Sequence, residues 1–141
     1  MLIKPIVKQL KKQKFFCEVR ASKDIPSIDD LNKTAISLPI CYLLPVKDGG
    51  AQISSDNRPR QSINSTYSFC IIAEAGDFDT LDEPPMTQAK EKLIEALLGF
   101  SLSEHYKPMS FVSGQIQDAN KKHESWVMGF EASRTFKKNI L

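Results

Sequence analysis

The residues from Glu124 to Lys137 alternate with period two. Trp126, Met128, Phe130, Ala132 and Phe136 fall on one side; Val127, Gly129, Glu131, Ser133 and Thr135 fall on the other. Arg134 alone interrupts the apolar side. Side chains of a strand point alternately to opposite faces, so this pattern dictates a long strand with one face turned to a core. Such a strand needs neighbours to satisfy its backbone N–H and C=O groups, and a layer of other elements to cover its apolar face.

Several segments qualify as neighbours. Ser62 to Ala75 reads as a second long strand, with Tyr67, Phe69 and Ile71 on one face and Cys70 and Ile72 on the other. Pro39 to Val46 is apolar on both faces, which predicts a central strand covered on both sides; Pro45 takes its end out of the ladder. Phe15 to Val19 predicts a shorter strand with Phe15, Cys17 and Val19 on one side. Phe111 to Gln117 predicts another, joined to the closing strand by the polar turn Asp118 to Lys122.

Two helices are predicted to form the covering layer. The firmer runs from about Pro84 to Leu98: Ala89, Leu93, Ala96 and Leu97 make an apolar stripe, widened by Ile94 and Leu98. The prolines fit its first turn, Asp82 is placed to cap it, Lys92 to pair with Glu95, and Gly99 to stop it. The other opens the chain, where Ile3, Ile6, Val7 and Leu10 recur at helical spacing among Lys4, Lys8, Lys11 and Lys12. Ser27 to Leu31 predicts one further helical turn. Lys47 to Arg60, with Gly49, Gly50 and Pro59, is the most loop-like stretch and predicts the extended tip of a hairpin. The element order predicts an α+β fold: a mostly antiparallel sheet with two main helices packed on it and a long hairpin loop. At 141 residues, the length fits one domain over residues 1–141.

Composition narrows the function classes. The 19 basic and 17 acidic residues leave a net charge of +2, which does not mark a nucleic-acid binder by bulk charge. No apolar run approaches the roughly 20 residues that span a bilayer. Cys17, Cys41 and Cys70 are too widely separated for a zinc motif or a disulfide framework, and read as three buried, reduced thiols. A nucleophile needs a base within hydrogen-bond reach. The two histidines, His105 and His123, lie in polar connections without a catalytic motif around them. The Asp48, Gly49 and Gly50 run lacks the lysine and spacing of a phosphate loop. The acidic stretch with Asp77, Asp79 and Asp82 does not match a calcium loop. The chain therefore reads as non-enzymatic, with no cofactor or metal. Charged residues on exposed connections are interface candidates: Arg58, Arg60 and Gln61 at the hairpin tip, and Asp77, Asp79 and Asp82 in the acidic stretch.

Three segments in order carry a resemblance. They are the strand Pro39 to Val46, the Arg60-Gln61 pair leading into the strand Tyr67 to Ala73, and the helix end Ala96 to Phe100 followed by Met109 to Gly114 and a closing aromatic strand. The order, over roughly residues 36 to 136, resembles the tail terminator-like proteins of long-tailed phages and prophages. Phe100 stands where that family typically has tryptophan, Pro108 is the one proline of the link, and Ser113-Gly114 replaces a glycine pair.

The resemblance implies a small α+β structural subunit of the virion, assembled in a bacterial host cytoplasm into a ring of copies of itself, usually a hexamer. Such a ring caps the tail tube, stops its polymerisation and offers a surface for the head–tail connector. DNA is passing cargo and no catalytic residues are implied. The alternative roles are another connector or minor tail protein, a small nucleic-acid binder using the Lys4 to Lys14 segment, and an enzyme pairing Cys70 with a histidine such as His105.

Overall fold

The computed structural model describes residues 3–31, 37–54, 59–76 and 83–137. In chain order the elements are α1 (Lys4–Lys12), β1 (Glu18–Ala21), α2 (Ile28–Leu31), β2 (Ile40–Leu43), β3 (Lys47–Gly50), β4 (Arg60–Glu74), α3 (Pro85–Leu97), β5 (Ser110–Ala119) and β6 (His123–Lys137). The six strands form one sheet in the order β1-β2-β4-β6-β5, with β3 also paired to β4. The fold is α+β, and its two main helices are short.

The two long strands anticipated from their alternation form the centre of the sheet. β4 and β6 pair antiparallel along their whole length, from Arg60 opposite Lys137 to Glu74 opposite His123. Their alternation divides the apolar side chains between two faces. Tyr67, Phe69, Ile71, Met128, Phe130 and Ala132 enter the larger core, with Ile6 and Leu10 of α1 and Met86, Ala89, Leu93 and Leu97 of α3. Phe130 makes edge-on ring contacts with Phe69 at 5.7 Å and Phe111 at 5.6 Å, a geometry favoured by the aromatic quadrupole. Side-chain amides fix α1 to α3: Gln9 Nε2 donates to the Ala96 carbonyl (3.1 Å) and Gln13 Nε2 to that of Lys92 (2.9 Å). Ile40, Tyr42, Leu44, Cys70 and Ile72 form a smaller core on the opposite face with Ile28 of α2. Every residue of β2 is buried, as its two apolar faces require.

The sheet is mixed but mostly antiparallel: β1 pairs parallel to β2, and the other pairings are antiparallel. Four expectations need correction. The first strand begins at Glu18: Phe16 and Val19 are buried, whereas Cys17 is exposed and its Sγ donates to the Leu38 carbonyl at 3.4 Å. The stretch from Lys47 is a strand before it is a loop. β3 follows β2 along the same edge of β4, with a shift of register across Pro45, and the Ala51 and Ser54 amides extend the bonding to Ser62 and Arg60. Leu98 leaves the helical stripe and is 58% exposed, because α3 ends before it and Gly99 turns the chain at φ 77°. Phe136 is 53% exposed, since β6 there has run past the helices.

Candidate interaction surfaces

Beyond the helices the sheet continues as an arm of β3, the first half of β4 and the end of β6. Its pairing is regular: Gly50 lies opposite Ile63, and Gln61 opposite Phe136. Arg60 and Gln61 lie at its far end. The Arg60 amide donates to Ser54 Oγ at 3.1 Å, and Gln61 Nε2 donates to the Ala51 carbonyl at 2.6 Å. Gln61 thus ties the two sides of the hairpin together. Ile53, Pro59 and Phe136 surround an apolar notch beside Arg60 and Gln61, and Gln52, Ser62, Thr135 and Lys137 continue the surface as a polar groove. Arg58, Asp77, Asp79 and Asp82 lie outside the described residues.

Further along β6, Arg134 explains its interruption of the apolar pattern. Its guanidinium lies over the rings of Tyr106 (5.9 Å) and Phe136 (5.6 Å), a cation–aromatic arrangement. Tyr106 bridges to Arg134 and the Lys107 amide donates to the Ser133 carbonyl, so the link before β5 also lines the edge of β6. Lys90 lies 3.6 Å from the Trp126 ring centre, and the indole Nε1 donates to Glu124 Oε1 at 2.7 Å.

β5 forms the sheet edge on this flank, and all ten of its residues are exposed. Phe111, Val112 and Ile116 are therefore large apolar side chains on the surface. The composition of Ser110 to Ala119 holds a signal for this, since its small and polar residues offer no continuous apolar face.

The groups considered for chemistry are dispersed. Cys41 and Cys70 are buried, and burial pushes both thiols up, Cys70 to about 11 and Cys41 further. A thiol that is neutral and shut off from solvent is a poor nucleophile. His105 is on the surface with Glu104 beside it at 3.5 Å. His123 is half-buried at the start of β6, its amide donating to Asn120 Oδ1 at 2.7 Å. Among the described residues, no three His, Cys, Asp or Glu side chains gather as metal ligands, and no helix is long and apolar enough to cross a membrane. The lysines of α1 (Lys4, Lys8, Lys11 and Lys12) are all exposed on the side away from Ile6 and Leu10.

No family model matches the chain, and no curated protein matches it by sequence. Among solved structures, a chain described as "Virion of native gene transfer agent (GTA) particle" superposes with a TM-score of 0.59 at 15% identity. The match covers 93% of this chain and 92% of that one. The two share a fold.

Proposed function

We propose that this chain is a structural subunit of a phage-like virion, and within the virion a tail terminator. Copies of it form a ring, six by the resemblance of its motifs, that caps the tail tube, stops polymerisation of the tube protein and presents the surface to which the head connector joins. The observation that carries the reading is the likeness of fold, over nearly the whole chain, to a chain of a gene transfer agent virion. The motif order from Pro39 to the closing aromatic strand narrows it to the terminator.

A closed ring needs two different, complementary patches on each subunit. The arm, with Arg60 and Gln61, serves as one flank, and Arg58 precedes them in sequence. The β5 side serves as the other; there the Ala75 amide donates to the Lys122 carbonyl, and the acidic stretch with Asp77, Asp79 and Asp82 follows in sequence. Charge complementarity between flanks gives register and partner choice more than affinity. Immunogold labelling of intact particles tests the assignment within the virion. Label at the head end of tails is the expected result; label at the distal tip assigns the chain to a different tail component.

A further inference from the structure

Besides the terminal strand β1, two outer edges of the sheet lie on opposite flanks, those of β5 and β3. β5 bonds to β6 along one side, and no backbone hydrogen bond from another described residue reaches its outer side. Across the sheet, the backbone hydrogen bonds of β3 and of the Ala51 amide among the described residues go to β4, and all four residues of β3 are exposed. An open edge is a template for another strand, and proteins that stay monomeric usually guard theirs with lysine, proline or short length. β5 has two bulges, but it is ten residues long and contains neither lysine nor proline.

The glycines point the same way. Gly49 in β3 has an ordinary φ, and a Cβ there would meet nothing within 4 Å. A Cβ on Gly114 in β5 would make only ordinary contacts, the nearest at 3.5 Å. Neither turn geometry nor internal packing requires glycine at these positions. Glycine inside a strand often marks a place where another backbone approaches closely.

Strand direction supplies the partner. β3 and β6 run one way, and β4 and β5 the other. Rotation about an axis along the strands keeps these directions, so the β3 of a neighbouring copy arrives antiparallel to β5. We propose that β5 of one subunit pairs with β3 and Ala51 of the next copy, carrying the β3-β4-β6-β5 run continuously around the ring. This rests on the ring reading above.

Matching faces restricts the register to steps of two residues, because directly opposed residues in an antiparallel pair project to the same side. Val112 and Gln117 are the residues left over at the bulges of β5. With these set aside, the matching register that also opposes unlike charges places Lys47 opposite Asp118, Gly49 opposite Gln115, Gly50 opposite Gly114 and Ala51 opposite Ser113. Opposite charges meet at one end, and two residues without side chains meet in the middle. Lys47 thus faces the acidic end of β5.

The test combines cross-linking with charge exchange in the purified full chain. In a Cys17→Ser background, Ala51→Cys with Ser113→Cys is expected to give a ladder of disulfide-linked oligomers on a non-reducing gel, and either cysteine alone is not. Lys47→Asp or Asp118→Lys should each raise the concentration needed for ring formation about tenfold or more, and the two together should restore it. Unchanged circular dichroism and melting temperature verify that each variant is folded. Rings by electron microscopy, without the ladder and without charge rescue, overturn the edge pairing and leave the ring reading standing. A monomer at every concentration, with no cross-link, overturns both. Cross-linked species that stop at dimers also overturn the proposal.

Discussion

Cys41 and Cys70 lie on neighbouring strands but on opposite faces of the sheet, one in each core. Both are fully buried, which disfavours the charged thiolate. The sign of the resulting pH dependence is fixed. Below pH 9.0, the ordinary thiol value, folded and unfolded chains both keep these protons, so the stabilisation is fully present. Between pH 9.0 and about 11 the unfolded chain releases protons that folded Cys70 keeps, and stability falls. The expected slope is about 1.4 kcal/mol per pH unit for each buried thiol. Urea denaturation across this range should show it, with a shallower slope in Cys41→Ala/Cys70→Ala. Cys17 differs: a thiol-selective reagent should label one equivalent in the native protein and three after unfolding, since Cys17 is the exposed thiol. Burial of Cys41 and Cys70 was legible because each sits among apolar neighbours. Cys17 was misread because the spacing of Phe15, Cys17 and Val19 imitates a strand face, whereas Phe16 is the aromatic that goes inward.

α3 was legible as an element because its stripe, proline start and glycine stop agree with one another. Its edges were less so. Leu93 is wholly buried and Leu98 is 58% exposed, though both fit the helical stripe. Leu93→Ala should therefore cost about 2–5 kcal/mol, and Leu98→Ala no more than about 0.5 kcal/mol, by chemical denaturation. Gly99→Ala should cost about 1–2 kcal/mol, because its left-handed conformation crowds a Cβ. The sequence pattern hid β3 because Gly49 and Gly50 are turn formers by composition. The ladder that β4 extends past the body decides otherwise, pairing both glycines. Arg134 looked like an error in an alternating strand until Tyr106 and Phe136 supplied its aromatic surroundings.

At the scale of the molecule, the two-layer plan could be read from periodicity, but the parallel pairing of β1 with β2 could not. That pairing depends on how the chain crosses between them, and alternation carries no direction. The candidate surfaces were partly legible as well. Arg60 and Gln61, expected at a loop tip, begin β4, while the outer edge of β5 is visible only once its neighbours are placed. An arm reaching past the helices, an edge strand without cover and the fold of a virion chain form a consistent whole if the subunit works in a ring. Reversing the charge of Arg58 and Arg60 together should impair that assembly, read by electron microscopy, while leaving the melting temperature unchanged. The most direct measurement of the central claim is tail length, by electron microscopy, in particles made without this chain. Overlong tails lacking heads are the predicted result, because polymerisation would have lost its stop; tails of normal length would contradict the terminator role.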